Sequence, residues 1–226
     1  MNIFMQGKRD WKFEYKEKQM DTDYDKIKKI AISNRKLSGA AYFQNIDGLA
    51  ENGACALILR EKDLTLKEYF RLADAVRKRP GFSVPMILHT GIRNPDKPEV
   101  LREMADYAAE YGLAGIHFTG TDFGIFCEHC SHPESGKNFL TGVSVHSAEE
   151  AEAAETYGAG YLIAGHIFET ECKLGISPRG LEFLNLVCEQ VSIPVYAIGG
   201  ITQENAALTV QSGAAGICMM SGFFKT

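Results

Sequence analysis

No long basic tract interrupts this chain, and no run in it approaches the ~20 apolar residues of a membrane-spanning helix. With 23 % charged residues and a formal net charge of −5, the first absence removes electrostatic support for a nucleic acid or an anionic membrane surface as partner. A small anionic ligand stays compatible with that balance. The opening stretch MNIFMQGKRDWKFEYKEKQM lacks the apolar core of a signal peptide, so the expectation is a cytoplasmic protein. Cysteines are few, six in all, and apart from one close pair they are scattered through apolar runs at 55, 127, 130, 172, 188 and 218. Such a spread fits reduced thiols in a reducing compartment better than a disulfide framework.

What the chain does have, from about residue 27 onward, is alternation. Short apolar, β-rich runs recur as IKKIAIS, ACALILR, VPMILH, AGIHF, FLTGVSV, YLIAGH, VYAIG and AGICMM. Between them TLKEYFRLADAVRK, KPEVLREMADYAAEYG, SAEEAEAAETYG, SPRGLEFLNLVCEQ and TQENAALTVQSG place apolar residues three and four apart, the period of amphipathic outer helices. Hydroxyl residues open SAEE and TQEN, and glycine closes YG and SG, so start and stop signals agree with the period. Eight βα units in 226 residues predict an α/β fold, a compact single-domain (β/α)8 TIM barrel over 27–226, rather than an open doubly wound sheet. Residues 1–26 stand outside the repeat. There WKFEYK alternates at period two, which predicts a short strand with Trp11, Phe13 and Tyr15 on one face. It reads as an arm packed on the barrel or on the second subunit of a homodimer, with a partly disordered tail as the alternative.

A barrel of this kind carries its chemistry at the C-terminal ends of the strands. Those ends supply Arg60, Glu61 and Lys62, then His89 and Thr90, Thr119 to Asp122, Ser144, and the loop GHIFETECKLG with His166, Thr170, Cys172 and Lys173. The last two ends are glycine rich, AIGGIT and MMSGFF. Their backbone N–H groups suit a phosphate, and the plain alternative is that the glycines only permit tight turns. His117 points inward from the fourth strand as a core histidine or a site wall, and His146 precedes a helix as a structural residue. CEHCSH gathers Cys127, His129, Cys130 and His132, the types a soft metal prefers. No second ligand group accompanies them, so no metal is expected.

The stretch GVSVHSAEEAEAAETYGAGYLIAGHIFETECKLGISPRG, followed by IPVYAIGGITQENAALTVQSGAAGICMMSGFF, resembles the thiamin phosphate synthase superfamily, and within it the TenI-type thiazole tautomerases. The resemblance covers roughly 27–224. Its synthase branch has a glutamine before Arg-x-Lys, an Asn-Asp pair after strand three and an aspartate after strand four, the two aspartates holding magnesium. Here those places read Ile58, His89 with Thr90, and Asp122, and one carboxylate holds a hard cation weakly. The resemblance implies a proton shift that turns an alkylidene dihydrothiazole carboxylate phosphate into the aromatic thiazole, without a cofactor. His166 would be the acid–base group, since an imidazole can take and return a proton near neutral pH. It further implies that Gly199, Gly200, Ser221 and Gly222 hold the phosphate and that Arg60, Lys62, Ser144, Thr170 and Lys173 face the small anionic substrate. Two alternatives stand beside this one: a magnesium-dependent synthase joining a pyrimidine pyrophosphate to the thiazole phosphate, and a phosphate-binding regulator without catalysis.

Overall fold

The computed structural model describes residues 23–93, 97–130 and 139–225. The expected N-terminal strand with Trp11, Phe13 and Tyr15, and His132 of the cysteine–histidine cluster, lie outside the described residues.

Eight strands form, one in each apolar run: β1 (Lys29–Ile32), β2 (Ala54–Leu59), β3 (Met86–His89), β4 (Gly115–Phe118), β5 (Leu140–Val145), β6 (Tyr161–Gly165), β7 (Val195–Ile198) and β8 (Gly216–Met219). They close in sequence order into a barrel, and the pairs β1–β2, β2–β3, β3–β4, β4–β5 and β6–β7 are parallel. The chain is thus the (β/α)8 barrel that its alternation predicts. Parallel strands are covered on both faces and read as continuous apolar runs. Accordingly β1, β3, β4 and β6 are buried at every position.

Within the fold two compact units can be described separately, residues 29–144 with the tail from 218, and 145–217 with the segment ending at Lys28. The first contains helices α1 (Arg35–Ser38), α2 (Tyr42–Asp47), α3 (Leu66–Arg77), α4 (Lys97–Glu110), α5 (Gly120–His129) and, in the tail, a single turn at Ser221–Phe224. Thr65 and Glu68 close a capping box at the start of α3, which satisfies two N–H groups the first turn would otherwise orphan. The helix then buries Tyr69, Ala73 and Val76 at spacings of four and three. Tyr69 does more than fill space. Its hydroxyl donates to the Leu59 carbonyl and accepts from the His89 N–H at 2.9 Å, fixing the end of β2 to the end of β3.

Helix α5 is not among the helices that the period picks out, because GTDFGIFCEH carries two glycines and only a narrow apolar stripe. Tertiary packing supplies what propensity lacks. Phe123 and Phe126 lie against Phe118 of β4, with ring centroids 5.6 and 4.9 Å away. The Thr119 side chain caps the helix by accepting from the Asp122 N–H at 3.1 Å.

The second unit holds α6 (Ala148–Thr156), α7 (Gly180–Gln190) and α8 (Ala206–Gln211). Ser147 caps α6 by accepting from the Glu150 N–H at 3.1 Å, so the SAEE signal marks a true N-terminus. Among the described residues no helix is long and apolar enough to cross a membrane.

Candidate functional site

In the second unit the chemistry gathers where β6 and β7 end. His146 donates from Nδ1 to the Gly165 carbonyl at 2.9 Å and from its backbone N–H to the Glu150 carboxylate at 2.6 Å, so it steadies the strand end as a structural residue. His166 follows, 5 % exposed. Its Nε2 faces the Ile176 carbonyl at 3.3 Å, and a carbonyl only accepts, so Nε2 carries the proton. Its Nδ1 is buried with no hydrogen-bond partner among the described residues. A neutral imidazole has one N–H. Spending it at Nε2 leaves a lone pair at Nδ1 that none of the described residues engages.

Two glycines of β7's loop make room for the chain that carries this ring. Gly199 (φ +100°) and Gly200 (φ +64°) both lie in the region that disfavours side chains. A Cβ at Gly199 would collide with the His166 Cβ, and one at Gly200 would collide with the Glu169 carbonyl and with Phe168. The loops are also laced together, Ile167 N–H to Ile198 O at 2.9 Å and Phe168 N–H to Gly199 O at 3.0 Å. The expected phosphate glycine Gly199 thus stands directly against the expected acid–base residue, and Gly200 against the loop that follows it. Gly199→Ala should destabilise the protein by at least about 2 kcal/mol in urea unfolding, from the positive φ and the overlap together; a change below about 0.5 kcal/mol would show that the loop relaxes around the methyl.

Past Phe168 the chain runs over the surface. Every residue from 171 to 179 is exposed, including Leu174 at 82 %. Thr170 spends its hydroxyl capping the turn Glu171–Lys173, and Lys173 forms no ion pair with Glu169 among the described residues.

The first unit builds a second cluster from its own strand ends. Ser33 accepts from the Arg60 N–H and donates to Glu61, both at 2.8 Å. Glu61, 4 % exposed, in turn takes the Arg35 backbone N–H at 3.2 Å and its guanidinium at 3.3 Å. Burial pushes the Glu61 carboxyl up, while Ser33 and Arg35 pull it back. Its ion-pair partner is therefore Arg35, and the network fixes the backbone from which Arg60 departs. Lys62 is exposed beside it.

Next to these cations stand two buried imidazoles, His89 and His117, with centroids 5.5 Å apart. Nδ1 of His89 accepts from the Gly91 N–H at 2.8 Å, and Nε2 of His117 meets the Ser144 hydroxyl at 2.9 Å. Burial holds both rings far below the usual histidine range, helped at His89 by His117, Arg60, Lys62 and Lys97 and at His117 by Arg60; His117 falls to about 3. Both are neutral at neutral pH. Asp122, buried, accepts from the Thr90 hydroxyl at 2.7 Å and pairs with the Lys97 ammonium at 3.1 Å.

Ser221 and Gly222, the other two expected phosphate residues, form the exposed start of the final turn. In the cysteine–histidine cluster, Cys130 donates to the Pro98 carbonyl at 3.6 Å and His129 lies 3.7 Å from Glu128. Burial raises the Cys127 and Cys130 thiols. Among the described residues no group of three or more His, Cys, Asp or Glu is placed to hold a metal. The residue that the sequence pattern hides is Lys97: it opens an outer helix in KPEVLRE, and nothing in its spacing pairs it with Asp122.

Comparison with known proteins gives a consistent answer. The family model described as thiamine monophosphate synthase matches residues 30–223. A protein of Aquifex aeolicus called putative thiamine-phosphate synthase 2 is 32 % identical over 195 residues, which are 86 % of this chain and 96 % of that one. The thiamine-phosphate synthase of Clostridium acetobutylicum is 30 % identical over 196 residues, 86 % of this chain and 85 % of that one. Among solved structures, the thiamine phosphate pyrophosphorylase of Pyrococcus furiosus superposes with a TM-score of 0.65 at 28 % identity, covering 87 % of each chain.

Proposed function

The chain belongs to the thiamine monophosphate synthase family, and on that premise we propose that it is a thiazole tautomerase of thiamin biosynthesis. The names its relatives carry favour the synthase instead, so the tautomerase reading rests on this chain's own residues. One observation carries it: the buried, unpartnered Nδ1 of His166, with Nε2–H spent on Ile176. A synthase joins two substrates and needs charge neutralisation, whereas a proton shift needs a base that gives its proton back.

In this reading His166 Nδ1 takes the proton from the ring carbon bearing the carboxylate. The ring's double bonds shift toward aromaticity, and the imidazolium returns the proton to the alkylidene carbon. One proton moves, no electrons leave, and Nε2–H stays on Ile176 throughout, holding the ring's orientation. The glycine loop at Gly199 and Gly200 holds the phosphate arm, with Thr170 and Lys173 at its rim. Because residues 171 to 179 are exposed without exception, that segment is the one whose displacement would admit substrate to Nδ1.

The synthase is the second reading, favoured by the relatives' names and by the matching Arg60 and Lys62. What weighs against it is the place where its magnesium belongs. The carboxylate that stands in its place, Asp122, is already shared by the Lys97 ammonium and the Thr90 hydroxyl, and a hard divalent cation prefers several free oxygen ligands. The residues present do not fit that ion. Two assays on the same preparation decide between the readings. With the thiazole tautomer and no added metal, ultraviolet absorbance should report accelerated aromatisation. With the pyrimidine pyrophosphate, the aromatic thiazole phosphate and magnesium, no thiamin phosphate should form. Thiamin phosphate in the second assay with no acceleration in the first would reject the tautomerase in favour of the synthase.

A further inference from the structure

Within the unit of residues 145–217, hydrogen bonds hold His166 on both sides of its Cα and at the tip of its ring. At the tip, Nε2–H reaches the Ile176 carbonyl at 3.3 Å. On the far side of the Cα, the His166 carbonyl accepts from the Arg179 N–H at 2.9 Å. On the near side, the carbonyl of Gly165, the last residue of β6, accepts from Nδ1 of His146, also at 2.9 Å. The Ile176 and Arg179 groups belong to the backbone, which every residue type brings. The third bond needs a side-chain donor of the right reach, so the identity of residue 146 decides whether it forms.

His146 is mounted for that bond. A carbonyl only accepts, so its Nδ1 carries the hydrogen and, in the neutral ring, Nε2 is bare. This is the opposite tautomer from His166. Charging the His146 ring adds a hydrogen at Nε2 and leaves the one at Nδ1 in place, so the bond survives in either state. The root of the side chain is fixed as well. The His146 N–H donates to the Glu150 carboxylate at 2.6 Å, and the Glu150 N–H donates to the Ser147 hydroxyl at 3.1 Å. The run HSAEE therefore caps helix α6 and holds the imidazole against the end of β6 with the same residues.

The consequence falls on the next residue. A peptide unit is planar, so pinning the Gly165 oxygen sets the plane from which the His166 N–Cα bond departs. A tilt of that plane is carried outward along the side chain to Nδ1. The tip bond cannot do this work alone, because Ile176 is 60 % exposed and lies in the segment whose displacement admits substrate. The root has to keep its direction while that segment moves. We propose that His146 is a positioning residue for the proton shift, acting through the Gly165 carbonyl to aim the His166 ring. This rests on the tautomerase reading. His146 itself moves no proton of the substrate.

The test combines steady-state aromatisation kinetics with nitrogen-15 NMR of the imidazole rings. His146→Leu keeps the bulk and removes the donor. It should lower kcat by about 10–100-fold, the cost of misplacing a reacting group by about 1 Å, and leave KM within about twofold of wild type. His146→Asn places an amide nitrogen where Nδ1 stands, and kcat should return to within about threefold of wild type. In a His166→Ala background, His146→Leu should cost less than about a further twofold, since effects exerted through one residue do not add. In the unsubstituted protein, NMR should find the His146 hydrogen at Nδ1. An unimpaired His146→Leu enzyme, an asparagine variant as slow as the leucine one, or a full second loss in the His166→Ala background would overturn the proposal while leaving the tautomerase reading intact. A hydrogen at Nε2 alone on His146 would do the same, and that measurement decides if the leucine chain does not fold. Wild-type protein that fails to accelerate aromatisation would overturn both.

Discussion

His166→Ala should lower the rate of thiazole aromatisation by about 10²–10⁴-fold, the usual contribution of a positioned acid–base group. Stopped-flow absorbance with the purified variant measures it. Affinity for the aromatic product should change little, since the alanine removes a ring from beside Gly199 without altering the backbone that laces the two loops. A drop in product affinity as large as the drop in rate would mark His166 as a packing residue. Unchanged rates would remove it from catalysis. His166→Gln sharpens the point: its amide can donate to the Ile176 carbonyl as Nε2 does now, but it offers no basic nitrogen. The glutamine variant should therefore be as slow as the alanine one, although its loop is held as in the wild type.

The second large effect is thermodynamic. His117 is held at about 3 in the folded protein, against ~6.5 in the unfolded chain. Above pH 6.5 neither state binds that proton, and the stability it reports is fully present. As the pH falls, the unfolded chain takes up a proton that the folded one refuses. Stability is then lost at about 1.4 kcal/mol per pH unit, down to the folded value. Between about pH 6.5 and pH 5 the loss from His117 alone comes to about 2 kcal/mol, and His89, also lowered by burial and by its cationic neighbours, adds loss of the same sign. Glu61 works the other way, because its raised carboxyl binds a proton earlier in the folded state. Urea unfolding followed by circular dichroism at pH 7 and pH 5 measures the difference. In His117→Asn that difference should shrink by about 2 kcal/mol; an unaltered difference would mean that the folded ring titrates normally.

The barrel was legible because each strand is a continuous apolar run and each long helix repeats at three and four, signals that belong to single segments. Helix α5 escaped for the opposite reason: its apolar residues, Phe123 and Phe126, gain their meaning only from Phe118 on a neighbouring strand. The site divides in the same way. His166 and its glycine loop could be found because both follow strands with distinctive small-residue turns. His89, His117 and Ser144 were each visible as strand-end residues, but their joint role could not be read. What makes the first two neutral is burial, and what fixes the His89 tautomer is one backbone N–H two residues on. Lys97 was the least legible, since an ammonium at the start of an amphipathic helix looks like solvent-facing charge until the fold lays it against Asp122.

Tyr69 also acts as a spacer. One phenol spans the seam between neighbouring strands, touching the carbonyl just before Arg60 and the amide of His89. The spacing of the two backbones from which a guanidinium and an imidazole depart is therefore set by a rigid aromatic ruler beneath them.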